Sequence, residues 1–315
     1  SVYIRQNATD CSFSTESWVI LSPIEQRIKA KIEAVGTPLR NWDIQINYGI
    51  KTGFNEAFII SGEKRKELIE QDPKSAEIIR PLLRGRDIKR YSYEFADLYL
   101  IFIPWHFPLH KNTNITGASL EAEQTFKNQY TAIYNHLLKY KEELSNRNKA
   151  ETGIRYEWYA LQRWGANYWE DFYKQKIVYI EIMTDNIEEG YDFPSFSFDN
   201  QGCVLLNTAY MITGEVNELK YILSVLNSKL GRQLVKYYVM QLQNRQFRML
   251  HQSVVNFPIP KLNQEDMTRF SIIAEQILSN KTNNINSTDK EYEINKLVLN
   301  IYGLNKSEIE FIELQ

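Results

Sequence analysis

Two stretches of this sequence carry side chains suited to holding anions and reading planar hydrogen-bonding edges. Between Arg80 and Arg90, five basic residues (Arg80, Arg84, Arg86, Lys89, Arg90) surround one acid, Asp87. Pro81 and Gly85 interrupt any continuous helix there, so the charges sit on bent backbone. A guanidinium is a rigid fork of donors that matches phosphate oxygens or the O6/N7 edge of guanine. The second stretch, Gln243-Asn-Arg-Gln-Phe-Arg, packs five such side chains into six residues with no acid. Arg155 and Arg163, interleaved with aromatic rings, and Lys51 and Asn55, beside a glycine turn, complete the set. Arg84, Arg86, Lys89 and Arg90 are expected to hold phosphates. Lys51, Asn55, Arg155, Arg163, Arg245, Gln246 and Arg248 are the candidate base readers. The competing reading is plain solvation. Surface loops carry such charges too, and a helix extension burying Phe247, Met249 and Leu250 would expose the same Arg and Gln.

The elements that must position these residues are legible in outline. Ile44, Ile46 and Tyr48 alternate with polar residues as a strand, Gly49 and Gly53 bracket a turn, and Phe58-Ile-Ile suggests a second strand. Ser22-Pro-Ile-Glu has the cap, proline and acidic partner of a helix start. Ile24, Ile28 and Ile32 then form one stripe, expected to pack on a neighbouring domain, and Gly36 and Pro38 stop the helix. Strands are expected at Leu98-Tyr-Leu-Ile-Phe-Ile, Lys176-Ile-Val-Tyr-Ile and Phe193-Pro-Ser-Phe-Ser-Phe. The last should enter a hairpin turn at Asp199-Asn-Gln-Gly, leading into Cys203-Val-Leu-Leu. Residues 123–147 and 218–239 read as helices, and the tail as two helices about a polar linker plus a last one capped at Asn305. Strands gathered between helical ends indicate an α+β fold. It would hold a mixed or antiparallel sheet, flanked by N-terminal and C-terminal helices.

The strings Gly49-Ile-Lys-Thr-Gly-Phe-Asn-Glu-Ala-Phe-Ile-Ile and Leu82-Leu-Arg-Gly-Arg-Asp-Ile-Lys-Arg-Tyr resemble the TaqI-like C-terminal specificity domain. Arg163-Trp-Gly-Ala-Asn-Tyr-Trp-Glu and Leu226-Asn-Ser-Lys-Leu with Pro258-Ile-Pro-Lys fit the same pattern. The resemblance implies a target-recognition module of type IIG restriction-modification enzymes and adenine-specific DNA methyltransferases. Its partners would be double-stranded DNA and a methyltransferase domain of the same parent chain. S-adenosylmethionine and magnesium would belong to that chain's other domains. On this reading residues 1–40 are a lead-in with a spacer helix, 41–262 the recognition domain and 263–315 a C-terminal helical segment. A different class, a non-catalytic protein-interaction scaffold built on the aromatic region, fits the same composition.

Resident chemistry is not expected. No two glycines are separated by a single residue, so a G-x-G cofactor loop is missing, as is an Asn-Pro-Pro-Tyr box. Asn256-Phe-Pro-Ile-Pro only looks like one. No Pro-Asp dipeptide opens a metal-nuclease motif, and Asp199 with Glu218-Leu-Lys is its nearest imitation. His106 and His110 read as loop residues, since no further ligand lies near. Cys11 and Cys203 indicate neither a disulfide framework nor a zinc site, and Asn7-Ala-Thr and Asn114-Ile-Thr read as chance glycosylation patterns. A net charge of −2 argues against coating DNA by bulk attraction. Its distribution permits a basic face: Asn227 to Lys261 holds six basic residues and no acid, Asp185 to Asp199 five acids and no base. No apolar run would span a membrane, no signal pattern opens the chain, and a start without methionine suggests a fragment of a cytoplasmic protein.

Overall fold

A computed structural model describes residues 21–315. Cys11, Asn7 and the chain start lie outside the described residues. Eight strands build two four-stranded sheets: β1 (Gln45–Tyr48), β2 (Ile59–Ser61), β3 (Ile79–Leu83), β4 (Leu98–Ile101), β5 (Lys176–Ile180), β6 (Phe196–Asp199), β7 (Val204–Leu205) and β8 (Ala209–Thr213). The central sheet runs β6-β5-β8-β1 and is antiparallel throughout. The second runs β7-β3-β4-β2, with β7 parallel to β3 and the other pairs antiparallel. Both faces of the central sheet are covered. Ile177, Tyr179 and Ile212 point into one core with the helices, while Val178 and Met211 point into a second core with the other sheet. Alternation along a strand delivers side chains to both faces. The fold is α+β, with helices at both ends.

The N-terminal helix, Pro23–Val35, starts with the expected capping box between Ser22 and Glu25 and stops at Gly36. Its stripe is not left for a neighbour. Ile28 and Ile32 are fully buried in the same core as Phe270, Ile277 and Val298 of the C-terminal helices. Those helices span Gln264–Thr282, Thr288–Ile301 and Lys306–Glu313, the last capped by Asn305 as its Asn-Lys-Ser-Glu start requires.

Elsewhere the periodicity hid breaks. The stretch 218–239 is two helices, Val216–Asn227 and Lys229–Tyr238, because buried Ser228 takes an extended backbone and caps the second by accepting from Gly231 N–H. Residues 123–147 fold as three short helices, Leu120–Gln129, Thr131–Leu138 and Lys141–Asn146. Phe58 ends a single helical turn, Asn55–Phe58, rather than opening a strand. The turn after Asp199 exists, but its flanking strands do not pair. It hands the chain from the central sheet to the second.

Asp199 governs that hand-over. Its carboxylate accepts from the backbone N–H groups of Gln201 and Cys203, both at 2.9 Å, and from the Tyr93 hydroxyl at 3.2 Å. Lys176 lies directly opposite on β5, its Nζ 2.5 Å from Asp199 Oδ2, and both side chains are fully buried. Lys176 Nζ also donates to the Phe172 carbonyl at 2.6 Å. A buried ion pair is tolerable only when its remaining donors and acceptors are met in this way. Removing one partner strands the other in the core. Lys176→Met is therefore expected to cost about 3–5 kcal/mol in urea unfolding, and a loss well under 1 kcal/mol would contradict this account of the sheet.

Candidate nucleic-acid interface

One end of the central sheet gathers most of the candidate residues. Tyr48 closes β1 opposite Tyr210, and Ala209 opens β8 opposite Ile180, the last residue of β5. The loops leaving that end are stitched together by backbone hydrogen bonds. Gly49 N–H donates to Ala209, Ile50 N–H to Leu205 and Glu181 N–H to Thr208. Lys51 and Arg163 exchange a reciprocal pair at 3.0 and 2.9 Å. The arginine-rich loop joins through Gly85, whose N–H meets Thr208 Oγ1 at 3.1 Å. A Cβ at Gly85 would stand 2.6 Å from the Thr208 carbonyl oxygen, so only glycine lets the loop approach this closely.

The run from Gln243 to Arg248 forms a β-hairpin, not a helix extension. Arg248 N–H donates to Met240 at 3.1 Å, Leu242 N–H to Gln246 at 2.7 Å, and Gln246 N–H to Gln243 at 3.3 Å. Asn244 and Arg245 hold the two central turn positions, at φ 56° and 58°. Two positive angles define the primed turn that matches strand twist. Asparagine accepts that conformation readily; arginine does so at a cost. Behind the tip, Gln246–Arg248 pairs with Ile182–Thr184, and buried Phe247 stacks on Phe193 at 5.3 Å. Asp185 receives the Arg232 guanidinium at 2.6 Å and donates its own N–H to the Arg245 carbonyl. Arg245 is exposed and Gln246 half-buried, while Arg248 lies 2.9 Å from Glu181.

The basic loop divides. Arg84 donates from Nε and Nη2 to Asp87, whose carboxylate also accepts from the Arg84 backbone N–H at 2.8 Å. Its hydrogen bond to that carboxylate holds the guanidinium above its ordinary pKa. Arg90 pairs with Glu291 of the C-terminal helices at 3.0 Å and lies over the Tyr91 ring. Both are paired with carboxylates of this chain. Arg86 is exposed and Lys89 half-buried. Neither makes an ion pair among the described residues.

Lys51 and Asn55 are exposed at the β1 end, with Asn55 accepting from Thr52 Oγ1 at 2.6 Å. Arg155 and Arg163 converge from separate segments on Glu151, at 2.8 and 2.9 Å, and both lie over the Trp105 ring. The tryptophan-rich region divides evenly: Tyr156, Trp158 and Tyr159 are buried, while Trp164, Tyr168 and Trp169 are half-buried against the core. Trp105 stacks on Tyr156 at 4.7 Å.

Sequence reasoning passed over two features of the site. Arg147 is buried behind the Lys51 loop, where it donates to the carbonyls of Thr52, Trp158 and Ala160. Burial without a carboxylate pulls its pKa down to about 10. Nothing in the local sequence betrays this role, because all three partners are backbone oxygens. The second is an aromatic ladder, Phe196–Tyr179–Tyr210–Tyr48, one ring from each strand of the central sheet in direct register. It runs from core to surface and ends at Tyr48, 45% exposed beside Lys51. Only knowledge of the strand register reveals it. Among the described residues no His, Cys, Asp and Glu cluster could hold a metal ion. His106 instead meets buried Glu157 at 3.0 Å, and Asp199 belongs to the core.

The chain belongs to the family of TaqI-like C-terminal specificity domains, which it matches over residues 80–259. Among relatives, the type II methyltransferase M.MjaIV of Methanocaldococcus jannaschii is 20% identical over 264 residues, which is 83% of this chain and 80% of its own. The type IIL restriction-modification enzyme MmeI, solved in complex with DNA, shares the fold with a TM-score of 0.57 at 16% identity. That likeness covers 88% of this chain and 35% of MmeI. The type IIG restriction endonuclease BpuSI gives a TM-score of 0.46 at 12% identity, over 89% of this chain and 33% of its own. This chain thus spans about a third of either enzyme.

The two arginines flanking Gly85 should separate cleanly by mutation. Arg84→Ala should lower unfolding free energy by about 1–2 kcal/mol, since a charge-assisted hydrogen bond to the half-buried loop is lost. Arg86→Ala should leave melting unchanged and weaken duplex binding. Equal effects of the two on melting would contradict this division.

Proposed function

We propose that this chain reads sequence in double-stranded DNA for a type IIG restriction-modification enzyme or an adenine DNA methyltransferase. Methyl transfer, and cleavage where it occurs, would lie in other domains of the parent protein, which bring S-adenosylmethionine and magnesium. The observation that carries the reading is the meeting, at one end of the central sheet, of Lys51, Arg86, Arg163, Arg245 and Arg248 from four separate segments. Phosphate contacts fix register and base contacts give selectivity. Arg86 and Lys51, exposed on loops held by backbone bonds, and half-buried Lys89 suit the first task.

The hairpin tip suits the second. A reader must be exposed yet rigid, and the Phe247–Phe193 stack with the ladder to Ile182–Thr184 supplies that rigidity. Arg245 and Gln246 at such a tip can present bidentate donors to base edges in the major groove. Holding the duplex from this side would leave the target adenine free to be flipped into a pocket on the methyltransferase domain. The family to which the chain belongs and the DNA complex of the MmeI enzyme both favour this over a protein-interaction scaffold.

Duplex binding followed against salt is the first test. Binding through several phosphates falls steeply, with a log–log slope of roughly −0.9 per contact. No binding at low salt would return the chain to the scaffold reading. A second expectation concerns the strained tip. Arg245→Gly relieves the positive φ and should stabilise the fold by about 1 kcal/mol. The same change should cost roughly 1–3 kcal/mol on the preferred site and almost nothing on random duplex. A variant that is more stable and equally selective would remove Arg245 from readout.

A further inference from the structure

Arg155 and Arg163 share one carboxylate while staying largely exposed. Arg155 Nη1 meets Glu151 Oε1 at 2.8 Å, and Arg163 Nη1 meets Glu151 Oε2 at 2.9 Å. Each guanidinium therefore takes a different oxygen of the same group. Both guanidinium carbons lie over the Trp105 ring, at 5.5 and 6.0 Å from its centre. Trp105 is itself fixed, with Nε1 donating to the Leu161 carbonyl at 2.8 Å and its ring stacked on Tyr156. The Arg163 backbone is paired with Lys51, and Arg155 N–H donates to the Glu151 carbonyl at 2.7 Å. Asn148 Nδ2 donates to the Glu151 carboxylate, which holds it in place. The arginine side chains remain 60% and 41% exposed.

Two guanidinium groups on separate oxygens of one anion, stacked on a rigid ring, reproduce the way a phosphodiester is gripped. We propose that Arg155, Arg163 and Trp105 form a clamp for a DNA backbone phosphate, which the Glu151 carboxylate occupies until a phosphate replaces it. The inference rests on the duplex-binding reading above and adds a residue that opposes binding. Glu151 sets a cost on filling the clamp. A phosphate enters only when the rest of the interface supplies enough binding to expel the carboxylate. Random duplex, with fewer contacts, leaves the carboxylate in place. Arg155 and Arg163, candidate base readers by composition, become backbone ligands on this geometry.

The test compares wild type with E151Q in fluorescence-anisotropy titrations on random and preferred duplex over a salt series. E151Q should bind random duplex about tenfold tighter, with a salt slope steeper by roughly 0.9 for the one added phosphate contact. Preferred duplex should tighten at least as much, because it no longer has to expel a carboxylate. In an Arg155→Ala/Arg163→Ala background the Gln change should have no effect, because a clamp without arginines has nothing to release. Unchanged or weaker random binding by a folded E151Q, or an effect that persists without the arginines, overturns the proposal. Should E151Q melt poorly, E151D, whose shorter side chain cannot span both guanidinium groups, must show partial tightening. Absence of duplex binding by wild type would instead fail the functional reading. The clamp is then judged by titrating inorganic pyrophosphate against the Arg155 and Arg163 side-chain NMR resonances. Saturable shifts in E151Q that are weaker in wild type keep it, and no shifts in either remove it.

Discussion

The buried Lys176–Asp199 pair is the constraint on which the rest of the architecture depends. It joins β5 to β6 at one end of the central sheet, and the same carboxylate turns the chain into the second sheet through the N–H groups of Gln201 and Cys203. Both cores meet at this point. Ion pairs of this kind add little net stability, but they are intolerant of misregistration, since a slip of one residue would bury two uncompensated charges. β5 then carries that register across the sheet, about 13 Å at the usual rise per residue, to Ile180 and the loops that collect the exposed cations. One end of the strand is closed by a neutralised charge pair, and the other leads into the loops that carry Arg86 and Arg245, both exposed.

At the open end the structure sorts its arginines by what they already touch. Arg84 and Arg90 are spent on internal carboxylates, and Arg147 on three carbonyls, so these hold loops in shape. Arg86 and Arg245 have no such tie among the described residues, and Arg155 and Arg163 share one that a phosphate can replace. This graded commitment is the physical basis of the proposed recognition mode. Structural arginines prepay the loop ordering that binding otherwise costs. The left-handed backbone at Arg245 fits the same proposal, since costly conformations cluster at functional sites.

Much of this was legible in the sequence, and the features that were not share a cause. The capping boxes at Ser22 and Asn305, the strands at Ile46 and Ile177 and the turn at Asp199 are local signals, and each stands where its residues place it. The break at Ser228 was masked by a leucine pattern that continues through it. The split of β6 and β7 between sheets was masked because turn residues set the bend and leave the pairing of the flanking strands open. The two arginine strings differ in the same way. Asp87 lies three residues from Arg84, so their pairing could be read locally, whereas Glu291 is 201 residues from Arg90 and Glu181 is 67 from Arg248. Partners set by tertiary contact have no signature in a single chain. The resemblance of the Gly49 and Leu82 strings to TaqI-like specificity domains supplied the family, but not which side chains remain free.

The central claim is that duplex DNA lies across the open end of the central sheet. Amide hydrogen exchange with and without excess duplex at low salt tests it most directly. The account predicts protection confined to residues 49–55, 84–89, 151–155, 162–165 and 242–248, with the helices at 264–301 unchanged. Protection centred on those C-terminal helices, or on the turn at 200–203 beside the buried pair, would contradict it.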